Sequence, residues 1–454
     1  MRIRRMARYL SVLLAFTLVA AGGACSQRDD DDDDTSAGGG DSAASSDIPT
    51  EDCVADPTEP VEGDTITLAS SYPQSGLTAA FSEIARGWMA YFEMMNDQGG
   101  VEFGGETFQI DWVERDDEYN AARTSANIEE LVGQDGEGAF AVFSVVGTAN
   151  NLAIRDFLGE LCVPDIFAAT GSPAWGNPDY PWLIGSTLPP YTLESQRFAE
   201  LLEEEQPDAE VAMLLQNDDF GAAYREGLEQ AIEGTDITIG DIQEYPTGAS
   251  EVASQITSLA NSGATAFFNG GTLLACPDAL SQAAANNWEP ITWVSGTCIS
   301  KTLMGIAGEA GAGVYSASNI KDPLDPQWDD DEAMQEYRDT LAQYQPEADP
   351  DNGIVAYGWT QAAILVEAMA NAEEPTRLAL MESLRNLEVS DVGLLLPGVT
   401  VRTGPDDPYM GEQLQLVRYN FQGADARNYF ETVGDIADYE GQTADLTPED
   451  LISG

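Results

Sequence analysis

The 454-residue chain has no histidine and only two lysines, Lys301 and Lys321. The first absence removes the base on which Ser-His-Asp and Cys-His nucleophilic machinery depends. It also leaves a zinc ion nothing but cysteine to bind. The five cysteines show no Cys-x-x-Cys spacing, so a zinc site would need ligands gathered from distant segments. Positive charge is scarce throughout: 19 basic residues face 79 acidic ones, for a formal charge of −60. Such a surface repels nucleic acid and anionic lipid headgroups, and no nucleic-acid partner is expected. The acid is spread along the whole chain, which favours solubility or salt adaptation over a local steering field. The glycine-rich run Gly308-Glu309-Ala310-Gly311-Ala312-Gly313 is not a G-x-G-x-x-G opening a helix, so no dinucleotide site, and no cofactor, is expected. Paired-carboxylate hydrolysis is the enzyme chemistry that this composition leaves open.

Long apolar runs are also few. The longest, Leu10 to Ala21, follows Arg2, Arg4, Arg5 and Arg8 and ends in Gly22-Gly23-Ala24-Cys25. It has the length of a secretory h-region and is too short to span a bilayer. The zones resemble a bacterial lipobox, which implies a signal peptide over residues 1–24, cleavage before Cys25 and a lipid on its thiol. The lipid would be the chain's one membrane attachment. Residues 25–63 read as a tether: Asp29 to Asp34 is a run of six like charges, followed by Ser, Ala and Gly. Such a segment repels itself and buries no core.

What remains, with 43% apolar residues overall, is enough for two domains. From Thr65 onward apolar strands alternate with amphipathic helices. The helix over Thr78 to Gln98 carries Phe81, Ile84, Trp88, Met89, Phe92 and Met95 at spacings of three and four, and Gly99-Gly100 stops it. The strand–helix pattern restarts after residue 187. The expectation is an α/β protein of two Rossmann-like lobes with parallel sheets, both faces covered by helices. Ligands bind such sheets at the carboxyl ends of their strands.

The segments Ser70-Ser71-Tyr72-Pro73-Gln74-Ser75-Gly76, Asn96-Asp97-Gln98-Gly99-Gly100, Glu114 to Ala122, Phe167 to Ser172, Gln216 to Gly221, Lys321 to Trp328 and Leu394 to Gly398 together resemble the type I periplasmic binding proteins. The resemblance is strongest to the branched-chain amino-acid binding group of ABC importers, and covers about residues 64–437. It implies a fold with three hinge crossovers, placed near residues 187, 317 and 400. Lobe one is then 64–186 plus 318–398, lobe two 187–316 plus 405–437, and 438–454 a C-terminal tail. It implies a monomer that presents a small hydrophobic or branched-chain amino acid, or a related aromatic acid, to permease and ATPase subunits. A sensory module presenting a ligand to a receptor is the alternative role.

The same resemblance suggests the binding residues. Thr148, at a helix N-terminus where free N–H groups favour an anion, and Ala169, Thr170 and Ser172 after the next strand are the carboxylate-binding candidates. Gly171 stands where relatives often have a hydroxyl. Tyr72, Ser75, Tyr191, Phe220, Thr297 and Tyr357 match positions near ligands. The stretch Ser295 to Cys298, expected to supply an acid for a ligand ammonium, has none. Asp218, Asp219 and Glu194 are the substitutes. Exported chains form disulfides, and the four cysteines after Cys25 allow three pairings. Cys276 and Cys298 each follow a strand of lobe two, and Cys53 and Cys162 each precede a strand of lobe one, which favours Cys53–Cys162 and Cys276–Cys298.

Overall fold

A computed structural model describes residues 48–133 and 138–453. The leader, Cys25 and the Asp run lie outside the described residues. Among those described, no helix is long and apolar enough to cross a membrane.

The first sheet contains β1 (Thr65–Tyr72), β2 (Val101–Phe103), β3 (Glu106–Asp116), β4 (Ala141–Phe143), β5 (Asp165–Ala168) and β6 (Leu183–Gly185) in the order β2-β3-β1-β4-β5-β6. All neighbours are parallel except β2 with β3. Successive side chains of a strand face opposite ways, and here both directions are apolar. Ile66, Leu68, Ala141 and Phe143 join one core, while Ala69 and Val142 join another. Helices α1 (Glu83–Asp97), α2 (Ala121–Val132) and α3 (Thr148–Leu161) connect the strands, with α2 and α3 covering the second core through Ile128, Leu131, Ile154 and Leu158.

The second lobe repeats the plan. Helices α4 (Tyr191–Glu205), α5 (Asp219–Ala231), α6 (Ala253–Ser262), α7 (Ala275–Ala285) and α8 (Lys301–Ala307) are interleaved with β7 (Glu210–Gln216), β8 (Thr238–Tyr245), β9 (Ala266–Gly270), β10 (Ile291–Val294) and β11 (Tyr315–Ser318). Val211, Met213 and Leu215 pack towards α4 and α5; Ala212 and Leu214 pack towards α6 and α7. The chain then returns to the first lobe as α9 (Glu332–Tyr344), α10 (Gly353–Asn371), α11 (Arg377–Leu384) and the hairpin β12 (Glu388–Ser390) with β13 (Thr400–Arg402). Strands β14 (Gln413–Asn420) and β15 (Tyr429–Asp438) complete the second sheet, antiparallel, in the order β15-β14-β11-β10-β9-β7-β8. Helices α1 and α10 touch backbone to backbone. A Cβ on Gly87 would lie 2.1 Å from the Val355 carbonyl oxygen, and one on Gly358 1.9 Å from that of Ile84.

The two-lobed α/β architecture is the expected one, with differences in detail. The apolar run over 139–146 is a strand only over β4 because Ser144 turns the chain out at φ 58°. Strands β2, β6 and β12 are three residues each, too short for a periodic signal. The third crossover lies at 403–412 rather than near 400, since β13 still pairs with β12 in the first lobe. Residues 48–63, anticipated as tether, lie against the first lobe instead. Cys53 is bonded to Cys162, Val61 N–H donates to Pro375 O, and Leu378 N–H to Pro57 O. The second disulfide joins Cys276 to Cys298, so both pairs are those favoured by the sequence. The tail packs as well: the Tyr439 hydroxyl donates to Glu200 Oε2 (2.7 Å), Thr447 bonds Thr192, and Asn177 Nδ2 donates to Ser453 O in the last helix, α12 (Glu449–Ser453).

Where the lobes meet, the crossovers lie side by side. Asn319 Nδ2 donates to Thr187 O (2.5 Å), Gln361 Nε2 donates to the Thr187 hydroxyl (2.6 Å), and a Cβ on Gly411 would lie 2.7 Å from Thr187 O. Further out, the seam is stitched by rare cations. Lys301 on α8 pairs with Asp349 (3.0 Å) and Asp351 (3.1 Å) ahead of α10. Arg427, in the loop between β14 and β15, holds both oxygens of Asp329 at 2.8 Å.

Candidate functional site

The carboxyl ends of both sheets face one another across a cavity of about 130 Å³. On the first-lobe side β4 exits through Ser144 to Gly147. Gly147 has φ 104° and precedes α3, and a side chain there would strike the Tyr119 ring at 2.8 Å. Val146, Gly147, Ala169 and Thr170 line this wall, with Phe81 and Ile84 beside α1. On the second-lobe side the exits of β7, β9 and β10 contribute Phe220, Thr272, Gly296 and Thr297. Tyr191 and Tyr357 close the cavity near the hinge.

Six of the ten anticipated ligand-binding residues therefore line the cavity: Ala169, Thr170, Tyr191, Phe220, Thr297 and Tyr357. Four do not. The Tyr72 hydroxyl is bonded to Glu114, and its ring packs on Trp88 in the core. The Ser75 hydroxyl donates to Asp116 at the exposed rim. Ser172 accepts from Ala174 N–H and caps the 3-10 turn that follows (3.3 Å). Thr148 lies one layer back, its hydroxyl 2.6 Å from that of Thr170. Thr170 is in turn 3.0 Å from the Tyr191 hydroxyl. These three form a buried relay whose cavity end lies at Thr170 and Tyr191, close to the first turn of α3. Gly171 makes the relay possible, because a Cβ there would sit 2.1 Å from Pro189 O and 2.8 Å from the Tyr191 ring.

The candidate acids are placed elsewhere. Glu194 is buried behind Gly296. It accepts from Gly296 N–H (2.9 Å), the Trp293 indole (3.2 Å) and the Tyr224 hydroxyl (2.9 Å). Burial pushes its carboxyl up to about 7 against those three donors. Asp218 caps α5 through Gly221 N–H and accepts from Gln216 and Thr247; Asp219 is exposed. The carboxylates on the cavity wall are instead Asp322 and Asp325 at the hinge. Asp322 accepts from the Phe430 and Leu324 amides, and Asp325 from the Gln327 amide. Burial raises Asp322 to about 6. Both lysines of the chain, Lys301 and Lys321, are also on the wall; Lys321 pairs with Asp331 at 2.8 Å.

Sequence reading missed Tyr119, although it lies inside one of the resembling segments. With φ 60°, its ring stacks on Phe81 of its own lobe while its hydroxyl reaches Gln216 of the opposite lobe. Burial, then the Asp218 charge of the opposite lobe, raise its hydroxyl pKa. Phe81 and Ile84 were legible as a helical apolar face, not as cavity wall.

This geometry agrees with the comparisons. Comparison with curated proteins gives no significant match. Among solved structures, a substrate-binding periplasmic protein from Ralstonia solanacearum is 23% identical with TM-score 0.70, covering 81% of this chain and 100% of that one. A branched-chain amino acid ABC transporter protein from Thermus thermophilus with bound valine is 19% identical with TM-score 0.72, over 83% and 97%. An ABC transporter solute binding protein from R. palustris in complex with 4-hydroxybenzoate is 15% identical with TM-score 0.69, over 83% and 97%. The family profile described as periplasmic binding protein matches residues 65–425, and the chain belongs to that family.

Proposed function

We propose that the chain is the capture component of an ABC-type importer, held outside the cytoplasm by a lipid on Cys25, and that its ligand is a small apolar or aromatic carboxylate. The observation that carries this reading is the composition of the inter-lobe cavity. Its walls are largely aromatic and aliphatic; the Thr170 and Tyr191 hydroxyls stand beside the first turn of α3, apart from the charged Lys301, Lys321, Asp322 and Asp325 on the second-lobe and hinge side. A cavity of about 130 Å³ suits a body near the size of one ring, since about 150 Å³ admits benzene. Hydroxyls and free amides at a helix start satisfy a carboxylate without a dedicated arginine; both lysines also line the cavity, Lys301 paired with Asp349 and Asp351 and Lys321 with Asp331. The Tyr357 hydroxyl at the hinge end of the cavity offers a place for a second polar group of the ligand, as on a hydroxybenzoate. Valine and 4-hydroxybenzoate bound to relatives support both ligand types. An α-amino acid would have to place its ammonium against Asp322 or Asp325, whose oxygens already accept backbone amides. The deaminated acid is therefore favoured. Permease and ATPase subunits are the partners, and the chain captures its ligand as a monomer without turning it over.

The test is calorimetry with 4-hydroxybenzoate, 4-methylpentanoate and leucine on the full-length protein and on Thr170→Val. Saturable binding of an acid, weakened at least tenfold by Thr170→Val, is expected. Tighter binding of leucine than of either acid would overturn the ligand class. Conversion of a bound acid into another compound would overturn capture without turnover.

A further inference from the structure

A second cavity, of about 400 Å³, opens in the first lobe at the amino end of β5, the end of the strand opposite the cleft. Its walls are Leu158 of α3, Pro181, Trp182 and Leu183 ahead of and within β6, and the Cys53–Cys162 bridge. The first residue of β5, Asp165, is fully buried on this wall, and among the described residues neither of its carboxylate oxygens has a hydrogen-bond partner. A buried ionised carboxylate with no partner is among the costliest arrangements a fold can hold. From this geometry we infer that the cavity is a second binding site, for a small organic cation: a primary ammonium on an apolar body.

Three features select that chemistry. The charged groups around the opening are Asp52 on the amino-terminal segment, Asp156 and Glu160 on α3, and Asp179 ahead of β6, all exposed. Against them and Asp165 stands, among the described residues, one guanidinium, Arg155, which lies 4.0 Å over the Tyr180 ring. An anion is therefore disfavoured. A divalent metal is disfavoured too, because it takes six or more oxygens. Among the described residues, the carboxylates close enough together to share an ion are Asp407, Glu412 and Glu440, not Asp165. An ammonium, by contrast, brings three donors to two empty oxygens, and its carbon chain finds Leu158, Trp182 and the disulfide. The volume exceeds what a single ring needs, so a chain of several carbons fits. Without a cation the carboxyl is held protonated, since burial pushes it up to about 8. An arriving ammonium favours the ionised form, so binding near neutral pH expels a proton and tightens as the pH rises through about 8.

The experiment is calorimetry of the full-length protein with n-butylammonium and with 1,4-diaminobutane, in about 0.5 M NaCl to screen unspecific attraction to the acidic surface. Saturable 1:1 binding is expected, with a heat that varies with the buffer's ionisation enthalpy and an affinity at least tenfold lower in Asp165→Asn. The proton release is read on the unaltered protein and so does not depend on that variant folding. Absence of saturable binding by both amines overturns the proposal. So does equal binding by Asp165→Asn, or binding lost in Thr170→Val but kept in Asp165→Asn, which would place the amine in the inter-lobe cleft. The inference is independent of the ligand proposed for the cleft.

Discussion

Replacing Gly171 by alanine tests the packing beneath the relay. The added carbon would lie 2.1 Å from the Pro189 carbonyl oxygen and 2.8 Å from the Tyr191 ring, more than about 1 Å inside ordinary contact. The first obstacle is backbone, so no rotamer change relieves it. Either the loop after β5 or the start of α4 must move, and Gly171 O also accepts the Tyr191 amide at 2.8 Å. Overpacking of this kind costs about 1–3 kcal/mol, which corresponds to a melting point roughly 2–12 °C lower for a body of about 200 residues. The same shift separates the Tyr191 hydroxyl from Thr170, so any ligand held there should bind at least tenfold more weakly. The control is Gly305→Ala in α8, where the new carbon meets nothing within 4 Å. Relief of helical glycine should stabilise it by about 0.5–1 kcal/mol. Differential scanning fluorimetry and calorimetry read both effects. A Gly171→Ala protein that melts and binds like the wild type would refute the reasoning.

Four further outcomes are expected. Breaking Cys53–Cys162, which spans 109 residues, should cost about 5 kcal/mol, and breaking Cys276–Cys298, which spans 22, about 3 kcal/mol; paired Cys→Ser variants in urea titrations check the order. Glu194 is held protonated up to about 7 against an ordinary 4.5. Its contribution to stability is therefore complete below about 4.5 and lost as the pH rises through 7, so Glu194→Gln should melt higher than wild type at pH 8 and alike at pH 4. With a formal charge of −60, the melting temperature should climb from low to molar salt, and a flat profile would show the acids already compensated locally. Lys301→Met leaves Asp349 and Asp351 without their cation at the seam, so small-angle scattering of the apo protein should show a larger radius of gyration while stability changes by less than about 1 kcal/mol.

Much of the fold was legible because local signals agreed. Helix α2 has both ends written locally: Asn120 caps it by accepting from Arg123 N–H, and Gly133 ends it. The strands of both sheets were visible as apolar runs because helices cover both faces. Strand β15 was not read as a strand, since at the edge of its sheet it sets exposed Thr432, Gly434 and Asp435 among half-buried Val433, Ile436 and Ala437. In the cavity, residue type was readable but direction was not. Thr148 and Ser172 have the hydroxyls a carboxylate needs, yet Thr170 and Ala174 claim them. Tyr119 enters the cleft because of a left-handed backbone turn that no periodicity announces. Asp165 reads as an ordinary strand start, and its isolation is a property of the walls that other segments build.

The contact of Gly87 with Gly358 bears on how the molecule is made. A ribosome delivers α1 roughly 270 residues before the helix that must lie against its bare backbone. Until α10 arrives, α1 alone covers part of that apolar flank of the first sheet, through Trp88 and Phe92 against Trp112 and Phe143, while the whole parallel part of the second sheet has already been synthesised. The amino-terminal lobe, the first to begin, therefore waits for α10 until that parallel part is made, and the second lobe in turn waits for β14 and β15. In an exported chain, that exposed flank is the surface a chaperone would hold during passage, and lengthening the interval between α1 and α10 should lower the yield of secreted protein without altering the stability of the molecules that do fold.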